Sequence, residues 1–140
     1  MNVFALMLML ADGLTATKLA DAQWLPSEGL PKGVVVSVVY GNPQTGPFMA
    51  LIKVPAGVTI APHRHSGEEA AVVVAGSCVI GQGDKVDARK GTELGPGSSY
   101  TLAARTPHWF IARTDCLVTR YSSRAVDIEY VNPKDDPRKK

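Results

Sequence analysis

From residue 34 onward the chain alternates short apolar runs with turn-forming residues. The runs cover residues 34–40, 48–54, 58–63, 70–75, 78–81, 99–103, 108–113, 116–121 and 126–131, with Gly, Pro, Asn and Asp between them. No window keeps a helical period for more than a turn or two, so the pattern predicts an all-β domain. Most strand starts recur about eight to twelve residues apart, which fits a sandwich or barrel. The prolines sit between runs or at their ends, where a missing N–H costs no ladder bond. Gln82-Gly83-Asp84-Lys85 reads as a tight turn. Residues 70–75 are apolar on both faces, which predicts a strand covered on both sides: by a second sheet, and by a partner subunit or the N-terminal segment. There is no internal repeat. The division expected is an N-terminal segment (1–22), one domain (23–133) and a frayed, charged tail (134–140).

Composition adds exclusions. With 140 residues, 45% hydrophobic and 20% charged, the chain has the make-up of one folded domain rather than a disordered or fibrous protein. The 15 Lys and Arg against 13 Asp and Glu leave a small excess that resides in the tail, so no basic field argues for nucleic acid. The longest apolar stretch, residues 3–11, is far short of the roughly 20 residues that span a membrane. It has the look of a secretory signal core, with Ala20-Asp21-Ala22 as a small-residue cleavage site, and would then place the protein outside the cytoplasm. The same stretch also reads as a short helix or edge strand covering the sheet. Cys78 and Cys116 match neither a disulfide framework nor a zinc-ribbon spacing, so the compartment stays open.

The three histidines are the informative chemistry. His63 and His65 flank Arg64, and His108 follows Thr106-Pro107. On a strand, residues two apart point to one face about 6.6 Å from each other, so His63 and His65 can converge while Arg64 faces away. A turn at Ser66-Gly67 would bring Glu69 back beside them. With His108 from a distant strand the set is three imidazoles and a carboxylate, which suits one divalent transition ion: Fe, Mn, Cu, Ni or Zn. The plainer alternatives are exposed strand histidines, a Glu69 that does not ligate, with Glu68 adjacent to it, and a merely buried or stacked His108.

The spacing Gly57, five residues, His63-Arg64-His65, three residues, Glu69, six residues, Gly76 resembles the first motif of the cupin superfamily. Gly97 and His108 resemble the second motif, although Ala103 and Arg105 stand where the family usually has Pro and Gly, and Ala112 where it has Asn. The resemblance covers about residues 34–131 and is to small single-domain bacterial cupins. It implies a jelly-roll barrel of two antiparallel sheets, with the N-terminal segment packing outside. His63, His65, Glu69 and His108 would be the ligands. Phe110 shares the face of His108, while Ala71 and Val73, on the face of Glu69, are barrel core. Arg105, near the expected mouth, is a candidate for an anionic substrate or a plain surface arginine; Tyr100 belongs to the core or the pocket rim.

The resemblance further implies metal-dependent oxidative chemistry, dioxygenase-like, on a small organic or carbohydrate-derived substrate. A non-catalytic metal- or ligand-binding sensor is the alternative, since fold does not give function. A homodimer is expected, with Trp109 and Ile111 pointing away from the site toward an interface or the second sheet. In a jelly roll the strand at Cys78 neighbours the one at His108, so the Cys78 and Cys116 sulfurs can approach. They would be a disulfide in favourable register, or two separate buried hydrophobes otherwise.

Overall fold

The computed structural model describes residues 13–140. Its strands are β1 (Leu25–Pro26), β2 (Val35–Gly41), β3 (Phe48–Val54), β4 (Thr59–Arg64), β5 (Glu69–Ala75), β6 (Cys78–Gln82), β7 (Thr92–Leu94), β8 (Ser99–Leu102), β9 (His108–Ala112), β10 (Cys116–Ser122) and β11 (Glu129–Tyr130). They form a six-stranded sheet in the order β1-β2-β3-β10-β5-β8 and a five-stranded sheet in the order β11-β4-β9-β6-β7. Every pairing is antiparallel, and the two sheets face each other as a jelly roll.

Alternation builds the interior. Along β5, Glu69, Ala71 and Val73 are buried while Val72 and Val74 are exposed. Val34, Val54, Ile60, Phe110 and Val118 close over them from other elements. Removing such side chains from water is the dominant favourable contribution to this fold. Within the described residues β5 is covered on its inner face, and Val72 and Val74 on its outer face are exposed.

Several expectations are corrected. The run at 126–131 shortens to the two-residue β11, since the backbone carbonyl of Asp127 serves a histidine and its side chain serves Ser66 N–H, at 2.9 and 3.2 Å. The edge strands β1 and β7 escape the apolar pattern because they are only two and three residues long. Trp109 does not face an interface: it is 1% exposed, lying directly across the strand pair from Gly81. Gly81 and Gly91 leave the room, for a Cβ on Gly81 would come within 2.0 Å of the indole. The tail is ordered into two short 3-10 turns, Pro133–Asp135 and Pro137–Lys139; Arg138 pairs with Asp136 at 2.8 Å and donates to the Ile128 carbonyl at 2.9 Å. Cys78 and Cys116 are free, buried thiols; burial and the neighbouring Cys116 push the Cys78 thiol up to about 12. Residues 13–21 are exposed, and the signal-like stretch at 3–11 lies outside the described residues. No described helix is long and apolar enough to cross a membrane.

Candidate metal centre

Strand register brings the histidines together. His63 on β4 is the direct cross-strand partner of His108 on β9, and their ring centroids are 4.2 Å apart. His65 follows the last residue of β4, with its ring 5.0 Å from His63 and 5.4 Å from His108. All three are buried, and one ring nitrogen from each falls within 4.8 Å of the others, a grouping that can hold a metal ion. Arg105 ties the two motifs: its N–H donates to the His65 carbonyl at 2.8 Å, and it takes φ 63° in the left-handed region. The turn ahead of His108 therefore keeps its shape although Arg105 replaces the glycine usual there.

Each imidazole is held from behind. His63 Nδ1 bonds the Ala61 carbonyl at 2.7 Å, His108 Nδ1 the Thr106 carbonyl at 3.0 Å, and His65 Nδ1 the Asp127 carbonyl. A carbonyl only accepts, so each Nδ1 carries the proton and each Nε2 keeps a lone pair. Burial, then the neighbouring His108, lowers His63 to about 3. Burial and Arg120 lower His65 to about 4, and burial lowers His108 as well. The three rings are neutral at ordinary pH, the state a metal requires. This donor chemistry fits a transition ion.

Glu69 stands beside them at the start of β5, with Oε2 3.3 Å from His65 Nε2. Both carboxylate oxygens are engaged: Arg120 Nε donates to Oε2 at 2.6 Å and the Tyr100 hydroxyl to Oε1 at 2.9 Å. Burial alone would raise Glu69, but Arg120, His65 and His108 outweigh it and hold the carboxyl down at about 2. Tyr100 is pushed up by burial and by Glu69, so it stays a hydroxyl donor.

A cavity of about 50 Å³ lies against the four residues, with Tyr100, Phe110 and Arg120 also in its wall. It has room for an ion and a water or two, not for an organic molecule. A larger chamber of about 360 Å³ shares Leu30, Ile52, His65 and Arg120 with it. Arg105 lines neither; it lies on the exterior, 3.5 Å from Glu129. Sequence reasoning missed Arg120, although a signal existed: it is the lone charge in its strand and shares the parity of the buried Cys116 and Val118. It also missed Asp127, whose part is played by a backbone carbonyl 62 residues from His65 and leaves no pattern.

No curated protein matches the chain in sequence. Among solved structures it is similar to the polyketide cyclase RemF from Streptomyces resistomycificus, at 17% identity and TM-score 0.70, covering 91% of this chain and 92% of that one. An RmlC-like cupin from Shewanella frigidimarina aligns at 16% identity and TM-score 0.65 over 82% and 95% of the two chains. The salicylate 1,2-dioxygenase from Pseudoaminobacter salicylatoxidans aligns at 17% identity and TM-score 0.57, over 69% of this chain and 27% of that one. These likenesses establish the jelly-roll fold. Residues 12–106 match the model of the ChrR cupin-like domain, a stretch that contains His63, His65 and Glu69, and the chain therefore belongs to that family of the cupin superfamily.

Proposed function

We propose that this protein is a mononuclear metal-dependent oxidoreductase, dioxygenase-like, acting on a small organic or carbohydrate-derived molecule. One observation carries the proposal: three buried, neutral imidazoles turn unprotonated Nε2 atoms toward one point. His63, His65 and His108 would hold a divalent transition ion, and Glu69 is the proposed fourth donor, since an oxygen that accepts from Arg120 keeps a further lone pair. A bound ion supplies Lewis-acid or redox chemistry. The chain's own residues do the rest. Carbonyl bonds fix the imidazoles, Tyr100 and Arg120 hold Glu69 ionised, and Phe110 and Ile60 keep bulk water from the small cavity. Phe110 and Tyr100, which line the small cavity, are the proposed neighbours of whatever substrate atom reaches the ion, and Arg105 lines neither cavity. The cyclase and dioxygenase among the similar structures support only that this fold hosts several reactions, so the oxidative part of the proposal follows from the cupin resemblance, and the donor set supports the metal.

The test is elemental analysis of untagged protein combined with oxygen uptake. One transition ion per chain, lost in His63→Ala, with metal-dependent oxygen consumption on a panel of small oxygenated compounds, is the expected result. Unchanged metal stoichiometry in His63→Ala would overturn the metal assignment. Metal binding that only raises the melting temperature would overturn the enzymatic one in favour of a sensor.

A further inference from the structure

Arg120 carries a donor capacity that the metal centre does not use. Its Nε is committed to Glu69 at 2.6 Å, which sets the plane of the guanidinium. Among the described residues neither terminal nitrogen has a hydrogen-bond partner, although the side chain is only 11% exposed. The guanidinium sits where the small cavity meets the 360 Å³ chamber and forms part of both walls. Its carbon lies 5.7 Å from the centre of the Phe48 ring, so one face of the fork is packed. The chamber beyond it has a largely apolar wall that includes Val36, Val38, Phe48, Ala50 and Ile52, and its charged side chains besides Arg120 are Glu28, Asp127 and Arg138. The chamber's other guanidinium, on Arg138, has Nε and Nη2 bound to Asp136 and the Ile128 carbonyl, so it does not offer a fork of two free nitrogens. The Asp127 carboxylate is taken by the Ser66 N–H.

We propose that Arg120 is a substrate-binding residue, and that the chamber takes a small apolar molecule bearing a carboxylate, which Nη1 and Nη2 grip as a fork. Parallel N–H donors on a planar cation match a carboxylate's two oxygens, and a neutral or cationic ligand forgoes that charge-assisted pairing. At 360 Å³ the chamber has the size of a small-ligand site. Bound there, the acid group rests on Arg120 and the remainder of the molecule lies beside His65, which borders both cavities. The proposal rests on the metal centre being the site of reaction, and it adds the class of substrate.

The test is calorimetric titration of chelator-treated protein with two pairs of probes, benzoate with benzamide and hexanoate with hexanamide, so that carboxylate bound to a metal cannot mimic the effect. Each pair keeps size and changes only charge. The expected result is at least one acid bound about tenfold or more tightly than its amide, the two becoming equal in Arg120→Gln, with Arg120→Lys between. Equal affinity of acid and amide in both pairs, or no binding of any probe, overturns the proposal, and so does a preference that persists in folded Arg120→Gln. If that variant does not fold, the wild-type comparison decides alone. Failure of the metal assignment is separately visible: His63→Ala would then retain its metal, whatever the acid preference.

Discussion

At Arg105 a side chain with a Cβ occupies a left-handed backbone position, at φ 63°. L-residues pay about 1–2 kcal/mol there, whereas glycine loses mainly the larger entropy of its unfolded chain. The exposed contact to Glu129 at 3.5 Å returns little in water. Arg105→Gly is therefore expected to stabilise the protein by about 0.5–1 kcal/mol while leaving metal content unchanged. Urea unfolding of the two proteins checks it, and a lower midpoint for the glycine variant would show that the Glu129 pair outweighs the strain. The same scale explains why Arg64, flanked by His63 and His65, lies apart from their grouping: strand alternation turns it to the other side, where it lies 3.6 Å from Glu129.

Between elements, the position of β9 depends on how its outer face is covered. Trp109 follows His108 and lies over Gly81 of β6, its directly paired residue, with Gly91 closing the other side. A methyl group at position 81 would meet indole carbons at 2.0 and 2.3 Å, so the ring must leave its place. Overpacking of this kind costs about 1–3 kcal/mol. Gly81→Ala is expected to lower the thermal midpoint and, because His108 shares a peptide bond with Trp109, to weaken metal retention as well. Calorimetry and elemental analysis read the two effects. An unchanged midpoint would mean that the indole does not anchor β9. At the β5–β6 turn Gly76 takes φ 79°, and a methyl group there would come within 2.1 Å of the Asp115 carbonyl oxygen, so that turn is equally specific to glycine.

For the whole molecule, the outer face of the six-stranded sheet is the feature a monomer leaves unexplained. Tyr121 pairs across the ladder with Met49 on one side and Ala70 on the other, and Val72 lies across from Thr119. Tyr40, Met49, Val72, Val74 and Tyr121 are all more than a third exposed there. Contiguous apolar surface of this kind marks an association site, and an isologous pair is the commonest soluble assembly. A second copy of the chain is expected on this face, giving twice 14.9 kDa by light scattering, with Val72→Lys shifting the protein to the single-chain mass. A single-chain mass for the wild type at micromolar concentration would refute it.

Local patterns in the sequence settled what depends on near neighbours. Apolar alternation located all the long strands of the jelly roll, because a strand's faces repeat every two residues. The i, i+2 spacing of His63 and His65 placed both on one face for the same reason, and the glycine-bounded first motif announced the turn that returns Glu69. What depends on distant chain segments was decided by the tertiary structure. The pairing of His63 with His108, the burial of Trp109 on Gly81, the hold of Arg120 on Glu69 and the Asp127 carbonyl behind His65 join residues as far as 62 positions apart. Such contacts are set by register and sheet stacking, and a backbone carbonyl that orients a ligand has no residue identity to read. The tail shows the same division: its charges looked solvated until Asp136 capped a turn and Arg138 reached the Ile128 carbonyl, a partner supplied only by the folded chain.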